Sequence, residues 1–420
     1  MLTDCWSFLS PALAAQENPG SNVVFLTRVV LRNYKSIAFC DLRLGPLTFL
    51  VGPNGSGKSN FLDALHFVRD SLNGSLENAL NERGGLNMVR RLSSEHPATI
   101  GIRLEFQLSD NRSGHFAFSI GISPSHSIMV MSEECRIQTL EGVANYSRVQ
   151  DRPTESSELT FPAVSPDRLA LVSASGFAAF RPVYDALTAM VFYNIDPKPI
   201  RELQKPQDSK ALKPMGENIA SVIGRMEKNS PESVRKIQEY LQIIASTVNA
   251  VRYTSLGPME TLSFLQNIVG SNEVWHLPTQ FMSDGTLRAL GVLTALFQGD
   301  KEFSPLLVGI EEPETGLHPA ASVALREAMQ YMSEKTQVIV TSHSPELLND
   351  AALPTDCILA VVAENGRTRI APLDSASREA LKNHLFTAGE LLLLNQLIPD
   401  PNVLEEQNKN QADLFGESQA

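Results

Sequence analysis

The feature that most constrains this chain is an eight-residue stretch, GPNGSGKS, at residues 52–59. It fits the pattern GxxxxGK[ST] and stands between an apolar run that predicts a strand and a periodic run, residues 60–73, that predicts a helix. Glycines in such a turn let the backbone curl until its N–H groups face a phosphate, and the helix N-terminus adds partial positive charge. The stretch therefore predicts an α/β unit that binds a nucleoside triphosphate.

Residues within this turn, which we call the P-loop, are expected to have separate roles. Lys58 would reach the β- and γ-phosphate oxygens, Ser59 would ligate Mg²⁺, and Asn60 would cap the helix or hold the loop. Backbone contacts to phosphate are expected from the residues before the lysine: Gly52, Asn54, Gly55, Ser56 and Gly57. The predicted ligands are ATP and Mg²⁺.

A second stretch, LLVGIEEPE at residues 306–314, places carboxylates at the end of a run that predicts a buried parallel strand. Ionised carboxylates are costly there unless a cation pairs with them, and a magnesium ion held by Ser59 needs an acidic partner. Glu311 is expected on the metal, directly or through water, and Glu312 as the base that orients the attacking water. Glu314 is the alternative base, or else a cap for the following turn.

Two further segments indicate what kind of nucleotide site this is. Ser283-Asp284-Gly285 opens an apolar-periodic helix, so its hydroxyl and N–H groups can form a second anion site. One nucleotide cannot comfortably use both anion sites of one chain, so Ser283 and Gly285 are expected to contact ATP bound to another copy. His343 follows a buried strand and is expected to reach the γ-phosphate.

In chain order these stretches resemble the ABC-type ATPases of the SMC/RecF superfamily, in particular compact stand-alone bacterial ATPases similar to overcoming-lysogenisation-defect proteins. The resemblance covers residues 24–72 and 277–395 and rests on LRNYKSI, LTFLVGPNGSGKSNFLDAL, SDGTLR, IEEPETGLHP and TSHSPELL. It implies a homodimer, or a higher oligomer, in which two copies sandwich two ATP molecules. Each nucleotide would then be completed by Ser283 and Gly285 of the neighbouring copy.

The chain also departs from the long-armed members of that superfamily. It has no heptad arms and no Toprim-like nuclease block after His343, and Gln107 is a weak candidate for the family's magnesium-sensing glutamine. The resemblance implies an ATPase whose assembly controls a separate nuclease or toxin in bacterial anti-phage defence. A DNA-repair or DNA-loading ATPase, and an ATP-gated scaffold with little turnover, are the alternatives.

Hydrophobic patterning predicts an α/β fold with an antiparallel-rich N-terminal lobe and no long coiled coil, and the resemblance implies an ABC-type head with a mixed sheet. We expect an N-terminal extension (1–22), a first lobe with the P-loop (23–194), a helical insertion (195–260), a second lobe (261–398) and a flexible tail (399–420). Strands are predicted before the P-loop, a meander over 98–140, and a hairpin around Asn365-Gly366.

Composition limits the partners and the compartment. The formal net charge of −12 repels nucleic acid unless a contact is local, and the basic segment 198–214 is interpreted as a solvated surface. The absence of a membrane-length apolar run or a basic-headed signal segment, with four cysteines lacking CxxC spacing, predicts a cytoplasmic protein. In the tail, Gln411 to Phe415 match the Q-x-x-L-F pattern by which bacterial proteins dock on the replication sliding clamp.

Overall fold

The computed structural model describes most of the chain: residues 25–92, 99–108, 110, 112–123, 127–139, 142–150, 154–158, 160–267, 274–300, 303–409 and 414–415. The expected N-terminal extension, residues 1–22, lies outside these ranges. Gln411 to Asp413 of the clamp-like pattern also lie outside them.

The first half of the chain is rich in strands. Its elements are β1 (Leu26–Tyr34), β2 (Ile37–Arg43), β3 (Leu47–Val51), α1 (Lys58–Asn73), α2 (Leu76–Asn81), α3 (Leu86–Val89), β4 (Thr99–Gln107), β5 (Ser113–Ile122), β6 (Ile128–Thr139), β7 (Gly142–Val149), β8 (Glu155–Ser156), α4 (Ala170–Ala174), α5 (Arg181–Thr188) and β9 (Val191–Tyr193).

The second half alternates helices with strands. Its elements are α6 (Pro197–Arg201), α7 (Ile219–Asn229), α8 (Pro231–Ile244), β10 (Val248–Leu256), β11 (Met259–Asn267), β12 (Val274–Pro278), α9 (Asp284–Phe297), β13 (Leu307–Glu311), α10 (Pro319–Ser333), β14 (Gln337–Ser342), α11 (Pro345–Leu348), β15 (Ile358–Glu364), β16 (Arg367–Pro372), α12 (Ser375–Lys382), α13 (Ala388–Leu393) and α14 (Pro401–Lys409).

Thirteen strands form one mixed sheet in the order β8-β7-β6-β5-β4-β1-β2-β16-β15-β3-β14-β13-β9. Neighbouring strands from β8 to β2 are antiparallel, whereas β15, β3, β14, β13 and β9 run parallel to one another. The two parts meet at β2 and β16, where a single residue pair, Ile37 and Thr368, is in register. The fold is therefore an α/β head with an antiparallel-rich N-terminal lobe, as the sequence predicts.

The parallel strands separate two hydrophobic cores. Alternate residues face opposite sides, so Leu50 and Ile339 join the core under α1, while Phe49, Val340 and Ile310 join the core under α9 and α10. All residues of β3 and β14 are buried, as expected of strands covered on both faces. This burial fixes where each strand ends relative to its neighbours, and the candidate site residues directly follow those strand ends.

Several predicted elements are confirmed. The three strands before the P-loop, the helix after it, the 98–140 meander and the hairpin of β15 and β16 are all present. The longest helix in the described residues is α1, at 16 residues, so this part of the chain contains no long coiled coil.

Two boundaries differ from the prediction. The helical insertion is present as α6 to α8. Its expected end at residue 260 lies inside β11, the middle strand of a three-stranded antiparallel sheet, β10-β11-β12. This sheet was not predicted from the sequence. The prediction that the tail is flexible from residue 399 is wrong for residues 401–409, which form α14. The reason is tertiary: the buried amide of Gln407 donates to the carbonyls of Asp41 in β2 and Ile370 in β16, each at 3.1 Å.

The last described residues also contact the main sheet. Leu414 is 4% exposed, and its side chain lies where a Cβ on Gly101 of β4 would be. Arg103 of the same strand donates to the Leu414 carbonyl at 3.2 Å. The leucine of the clamp-like pattern is therefore buried within its own chain. Across the described ranges, no helix combines the length and the apolar character that crossing a bilayer requires.

Candidate nucleotide-binding site

The carboxyl ends of four neighbouring parallel strands form the edge of the sheet on which the candidate site lies. The P-loop follows β3, Glu311 ends β13, and His343 follows β14. Register pairs join β3 to β14 and β14 to β13 up to their last residues, so these ends lie side by side. The topology thus brings together groups that are about 250 to 290 positions apart in the sequence.

The P-loop curls tightly because two of its glycines adopt backbone conformations that other residues avoid. Gly55 and Gly57 have φ values of 76° and 98°. A Cβ on Gly57 would collide with the Thr368 side chain, and a Cβ on Gly52 would collide with the Val361 carbonyl of β15. The glycine spacing of the motif is therefore required by the close packing around the turn.

A chain of side-chain hydrogen bonds holds the loop from behind. The Asn60 amide donates to Ser36 Oγ at 2.6 Å, Ser36 lies 2.6 Å from Thr368 Oγ1, and Thr368 donates to the Ser56 carbonyl at 2.7 Å. Of the two roles expected for Asn60, holding the loop is the one seen. Ser36 lies in the LRNYKSI stretch, but nothing local to Thr368 indicates its role, since the contact depends on β16 pairing beside β2.

Lys58 is almost completely buried beneath the loop. It is 4% exposed, and its Nζ donates to the carbonyls of Gly52 and Pro53 at 2.9 and 3.0 Å. Burial lowers the pKa of Lys58, and the nearby carboxylates of Glu312 and Glu314 act in the opposite direction. A cation is thus held directly under the turn that is expected to bind phosphate.

Ser59 and Glu311 form the expected metal-binding pair. The Ser59 hydroxyl lies close enough to the Glu311 carboxylate to lower its pKa. Burial raises the pKa of Glu311; the interaction with Ser59 opposes this rise, and the neighbouring charges of Asp63 and Glu312 add to it. Hydroxyl and carboxylate oxygens are ligands that Mg²⁺ prefers, and a cation would offset the cost of burying this acid, so the pair fits a magnesium ion.

Glu312 faces the P-loop from the end of β13. It has a positive φ of 41°, which is uncommon for a residue other than glycine, and its N–H donates to the Thr341 carbonyl at 3.0 Å. Its Oε1 lies 3.2 Å from Nδ1 of His343. The expected base and the expected γ-phosphate contact are therefore neighbours. A cavity of about 290 Å³ has Glu312 on one side and P-loop residues on the other: Asn54, Gly55, Gly57, Lys58, Ser59 and Asn60.

Glu314 is held differently from Glu312. It is 6% exposed, and its Oε1 accepts hydrogen bonds from Ser342 Oγ at 2.6 Å and from the His343 N–H at 3.3 Å. Burial raises its pKa, and these bonds act against that shift. Glu314 is not among the residues that line the P-loop cavity. Its contacts fix the backbone that presents His343.

The Ser283 region lies elsewhere in the chain. Ser283 is exposed at the start of α9 and accepts a hydrogen bond from the Thr286 N–H at 3.1 Å, which is the geometry of a helix cap. A Cβ on Gly285 would approach the Gly316 carbonyl, in the loop after β13, to 2.8 Å. Among the described residues, those lining the P-loop cavity include none from α9. We call Ser283 to Gly285 the signature turn.

Gln107 does not lie at this edge of the sheet. The Gln107 N–H donates to the Phe25 carbonyl at 2.8 Å. Leu26, the residue after Phe25, donates its N–H to the side chain of Gln337 at the start of β14. Gln107 is therefore near the amino ends of the parallel strands, whereas the P-loop and Glu311 are at their carboxyl ends. The suggestion that Gln107 senses magnesium is wrong, because antiparallel pairing carries it to the opposite edge.

Asn194 is an exposed polar residue near this edge of the sheet that the sequence did not indicate. Strand β9 runs parallel to β13, and its last residue, Tyr193, pairs with Ile310, directly before Glu311. Asn194 follows that pair, and its N–H donates to the Pro214 carbonyl at 2.9 Å. A strand of three residues gives too little periodicity to be predicted, so only the sheet topology brings out this residue.

Comparison with known proteins places these features in a family. Residues 47–171 and 198–349 match the family described as "AAA domain, putative AbiEii toxin, Type IV TA system". The chain is 41% identical over 44 residues to the DNA replication and repair protein RecF of Vibrio vulnificus, covering 10% of this chain and 12% of RecF. It is 46% identical over 43 residues to the OLD nuclease of Thermus scotoductus, covering 10% of this chain and 8% of that protein.

Two solved structures share the fold over nearly their full length. An SmcHead bound to the C-winged helix domain of ScpA gives a TM-score of 0.53 at 14% identity, covering 85% of this chain and 99% of that one. An Smc head domain bound to the C-terminal domain of ScpA, derived from Pyrococcus furiosus, gives 0.51 at 13% identity, covering 86% and 99%. The family match extends over more than half of the chain, so this protein belongs to that AAA-domain family, and its fold is that of the Smc heads.

Proposed function

We propose that this chain hydrolyses ATP with Mg²⁺, that two copies sandwich two ATP molecules, and that their assembly controls a separate effector protein in bacterial anti-phage defence. The observation that carries the proposal is the division of the site. Lys58, Ser59 and Glu312 line one cavity in one chain and Glu311 lies near Ser59, while Ser283 lies outside that cavity and is exposed. A second copy would complete the site.

The P-loop side would bind and activate the nucleotide. The loop N–H groups and Lys58 would hold the β- and γ-phosphates, and Ser59 and Glu311 would hold Mg²⁺. When bound, Mg²⁺ would neutralise charge on the phosphate oxygens. Glu312 would orient a water molecule and accept its proton, with His343 at 3.2 Å keeping the carboxylate directed into the cavity.

The signature side would supply the remaining contacts from the neighbouring copy. Ser283 is exposed at the N-terminus of a 14-residue helix, where the hydroxyl and free N–H groups can meet an anion. Phe281, two residues earlier, is 72% exposed, which suits a surface that another molecule covers. A closed homodimer would bury both groups.

Control of an effector is supported by the family rather than by the site. The family description names a toxin and a toxin–antitoxin system, one curated relative is a nuclease, and the Smc heads with the same fold are bound to ScpA domains. A nuclease or toxin partner that reads the ATP-bound dimer is therefore the effector we propose. The alternative of an ATP-gated scaffold with little turnover would have the same two-copy site, but ATP hydrolysis in it would be slow.

A DNA-repair or DNA-loading role is the second candidate, and the short match to RecF favours it. The net charge of −12 opposes it unless a basic surface is local. Anisotropy of labelled duplex DNA, with and without ATP, separates the two: salt-sensitive binding in the ATP state would favour the repair role. Docking on the sliding clamp would require Leu414 to leave its buried position against β4.

The division of the site can be tested by mixing two inactive variants. Lys58→Ala removes the P-loop cation, and Ser283→Arg places a large side chain on the exposed signature turn, with thermal unfolding used to check that the variant is folded. Each variant alone should be inactive in ATP hydrolysis. In a one-to-one mixture that exchanges subunits, half of the dimers pair the two variants, and each such dimer has one intact composite site.

Hydrolysis should therefore return to roughly a quarter of the activity of the unmodified protein. The matched control mixes Lys58→Ala with Ser59→Ala, which are defective on the same side and should recover nothing. If the first mixture stays inactive while subunit exchange is demonstrated by labelled copies, composite sites do not form. If Ser283→Arg alone hydrolyses ATP normally, the signature turn is not part of the site.

A further inference from the structure

Arg201, in the segment interpreted from sequence as solvated surface, is bound to the signature turn. Its guanidinium forms an ion pair with Asp284 and donates to the Met282 carbonyl at 3.0 Å. The Arg201 carbonyl accepts a hydrogen bond from Thr279 Oγ1 at 3.1 Å. One residue from outside α9 therefore holds the residues on both sides of Ser283.

The charge of Asp284 explains why such a contact matters. As the first residue of α9, its carboxylate suits the positive end of the helix. The same carboxylate is 71% exposed directly beside Ser283, where a triphosphate with several negative charges would approach. An unpaired acid at that position would repel the anion, and closure of two copies would strengthen the repulsion by removing water.

The position of Arg201 also links the two halves of the site within one chain. It ends α6, which follows β9 after a short connection, and the last residue of β9, Tyr193, pairs with Ile310, directly before Glu311. Between β9 and Arg201, Ile195 and Ile200 pack so closely on α9 that a Cβ on Gly291 would contact both side chains. The segment from β9 to Arg201 is thus packed on α9 and runs from the strand beside β13 to the signature turn.

We propose that Arg201 is a positioning residue for the site between two copies: it neutralises Asp284 and fixes the signature turn so that the turn can accept the triphosphate of the neighbouring copy. The inference rests on the proposed function, and it assigns this residue a role that the P-loop chemistry does not require. It predicts that the need for Arg201 disappears when Asp284 carries no charge.

A double-mutant cycle tests this prediction. In a Glu312→Gln background, which retains ATP, dimer formation is measured by sedimentation over a range of ATP and protein concentrations. Closure is followed in parallel by fluorescence of the half-exposed Trp275 after Trp6→Phe. The comparison uses Arg201→Met, Arg201→Lys, Asp284→Asn and the double variant Arg201→Met with Asp284→Asn.

Arg201→Met should weaken ATP-dependent dimerisation by about tenfold, Arg201→Lys by less, and Asp284→Asn by less than about twofold. The double variant should return to within about threefold of the Glu312→Gln parent. Binding of a fluorescent ATP analogue at protein concentrations below dimerisation should be the same in all of them, because the P-loop side is untouched. A merely structural arginine would not give this recovery.

The possible failures are distinguishable. If the Glu312→Gln parent does not dimerise with ATP, the proposed function fails and the inference with it. If the parent dimerises but the double variant is as weak as Arg201→Met, only the inference is overturned. Thermal unfolding of each variant shows whether a loss reflects folding, and a folded Arg201→Met that dimerises like the parent also overturns the inference.

Discussion

The P-loop half and the signature half of the site are built in opposite ways. Lys58 is 4% exposed, its Nζ donates to the Gly52 and Pro53 carbonyls, and the loop is held from behind by Thr368, so the first half is set by buried contacts within one chain. Ser283 is exposed, and its hydroxyl meets only its own helix and nothing in the P-loop cavity among the described residues. Under the proposed function, one half binds on its own, while the other depends on an assembly.

This difference has an energetic meaning. Groups fixed by buried hydrogen bonds lose little further conformational entropy when a ligand arrives, so the P-loop half is preorganised for phosphate and metal. An exposed turn contributes only when a second molecule brings a phosphate to it. Hydrolysis should therefore depend on protein concentration, whereas nucleotide binding by the P-loop half should not.

The largest effect is expected for Glu312→Gln, which keeps the shape of the side chain but removes the base. Hydrolysis should fall by about 10²- to 10⁴-fold while ATP binding persists, so the dimer should accumulate with ATP bound. Single-turnover hydrolysis and sedimentation in ATP measure the two properties. Glu334→Gln, at the exposed end of α10, is the matched control and should leave both unchanged.

If Glu312→Gln hydrolyses ATP at the normal rate, the base lies elsewhere. Glu314 would be the next candidate, although it is buried and bonded to Ser342. A variant that loses ATP binding together with hydrolysis would instead show that Glu312 belongs to the binding half. Either result would change which residues are counted in the preorganised half.

A smaller effect is expected for Thr368→Val, which keeps the volume of the side chain but removes the bonds to the Ser56 carbonyl and to Ser36 Oγ. The hydrogen-bond chain behind the loop would be broken, so ATP affinity should fall by roughly three- to tenfold. Thr294→Val is the matched control, because this buried threonine bonds only to Leu290 in its own helix. Equilibrium binding of a fluorescent nucleotide compares the two.

An unchanged affinity in Thr368→Val would mean that the hydrogen-bond chain behind the loop does not preorganise it. A change in ATP-dependent dimerisation beyond the change in binding would show that the two halves are coupled through β16. In that case β16 would have to be counted as part of both halves of the site. Equal losses in Thr368→Val and Thr294→Val would point to general destabilisation.

The smallest expected effect is a pH dependence of magnesium affinity. Burial raises the pKa of Glu311, and Mg²⁺ requires the ionised carboxylate, so affinity should fall as the pH is lowered toward that raised pKa. In the metal-free chain the sign is opposite. The neutral acid is favoured, so this contribution to stability is complete below the ordinary pKa and is lost as pH rises through the raised value.

Calorimetric titration of Mg²⁺ into the ATP-bound Glu312→Gln protein at several pH values measures this dependence. A decrease of a few-fold over about two pH units is the expected result. With Glu311→Gln added, affinity should be low and nearly independent of pH. If the pH dependence survives that substitution, another group, such as nearby His66, controls the metal.

Much of the P-loop half could be predicted because its signals are local. Each signal can be recognised within a short segment whose conformation depends on neighbouring residues: the glycine spacing at residues 52–57, the lysine at 58 and the acids after a buried strand. The tail shows the limit of that reasoning. Its polar sequence gives no apolar stripe, yet residues 401–409 are helical and Leu414 is buried, because the partners of Gln407 and Leu414 lie in distant strands.

The sequence by itself determined that a phosphate-binding turn follows a buried strand and that acids and a histidine follow two others, since strand and turn signals depend on neighbouring residues. Only the tertiary structure decided that Thr368 holds the loop, that Gln107 lies at the opposite edge of the sheet from Glu311, and that Arg201 is paired with Asp284. Ser36 and Thr368 are 332 positions apart. Contacts over such separations are fixed by strand order and register, and no local pattern in the sequence determines these.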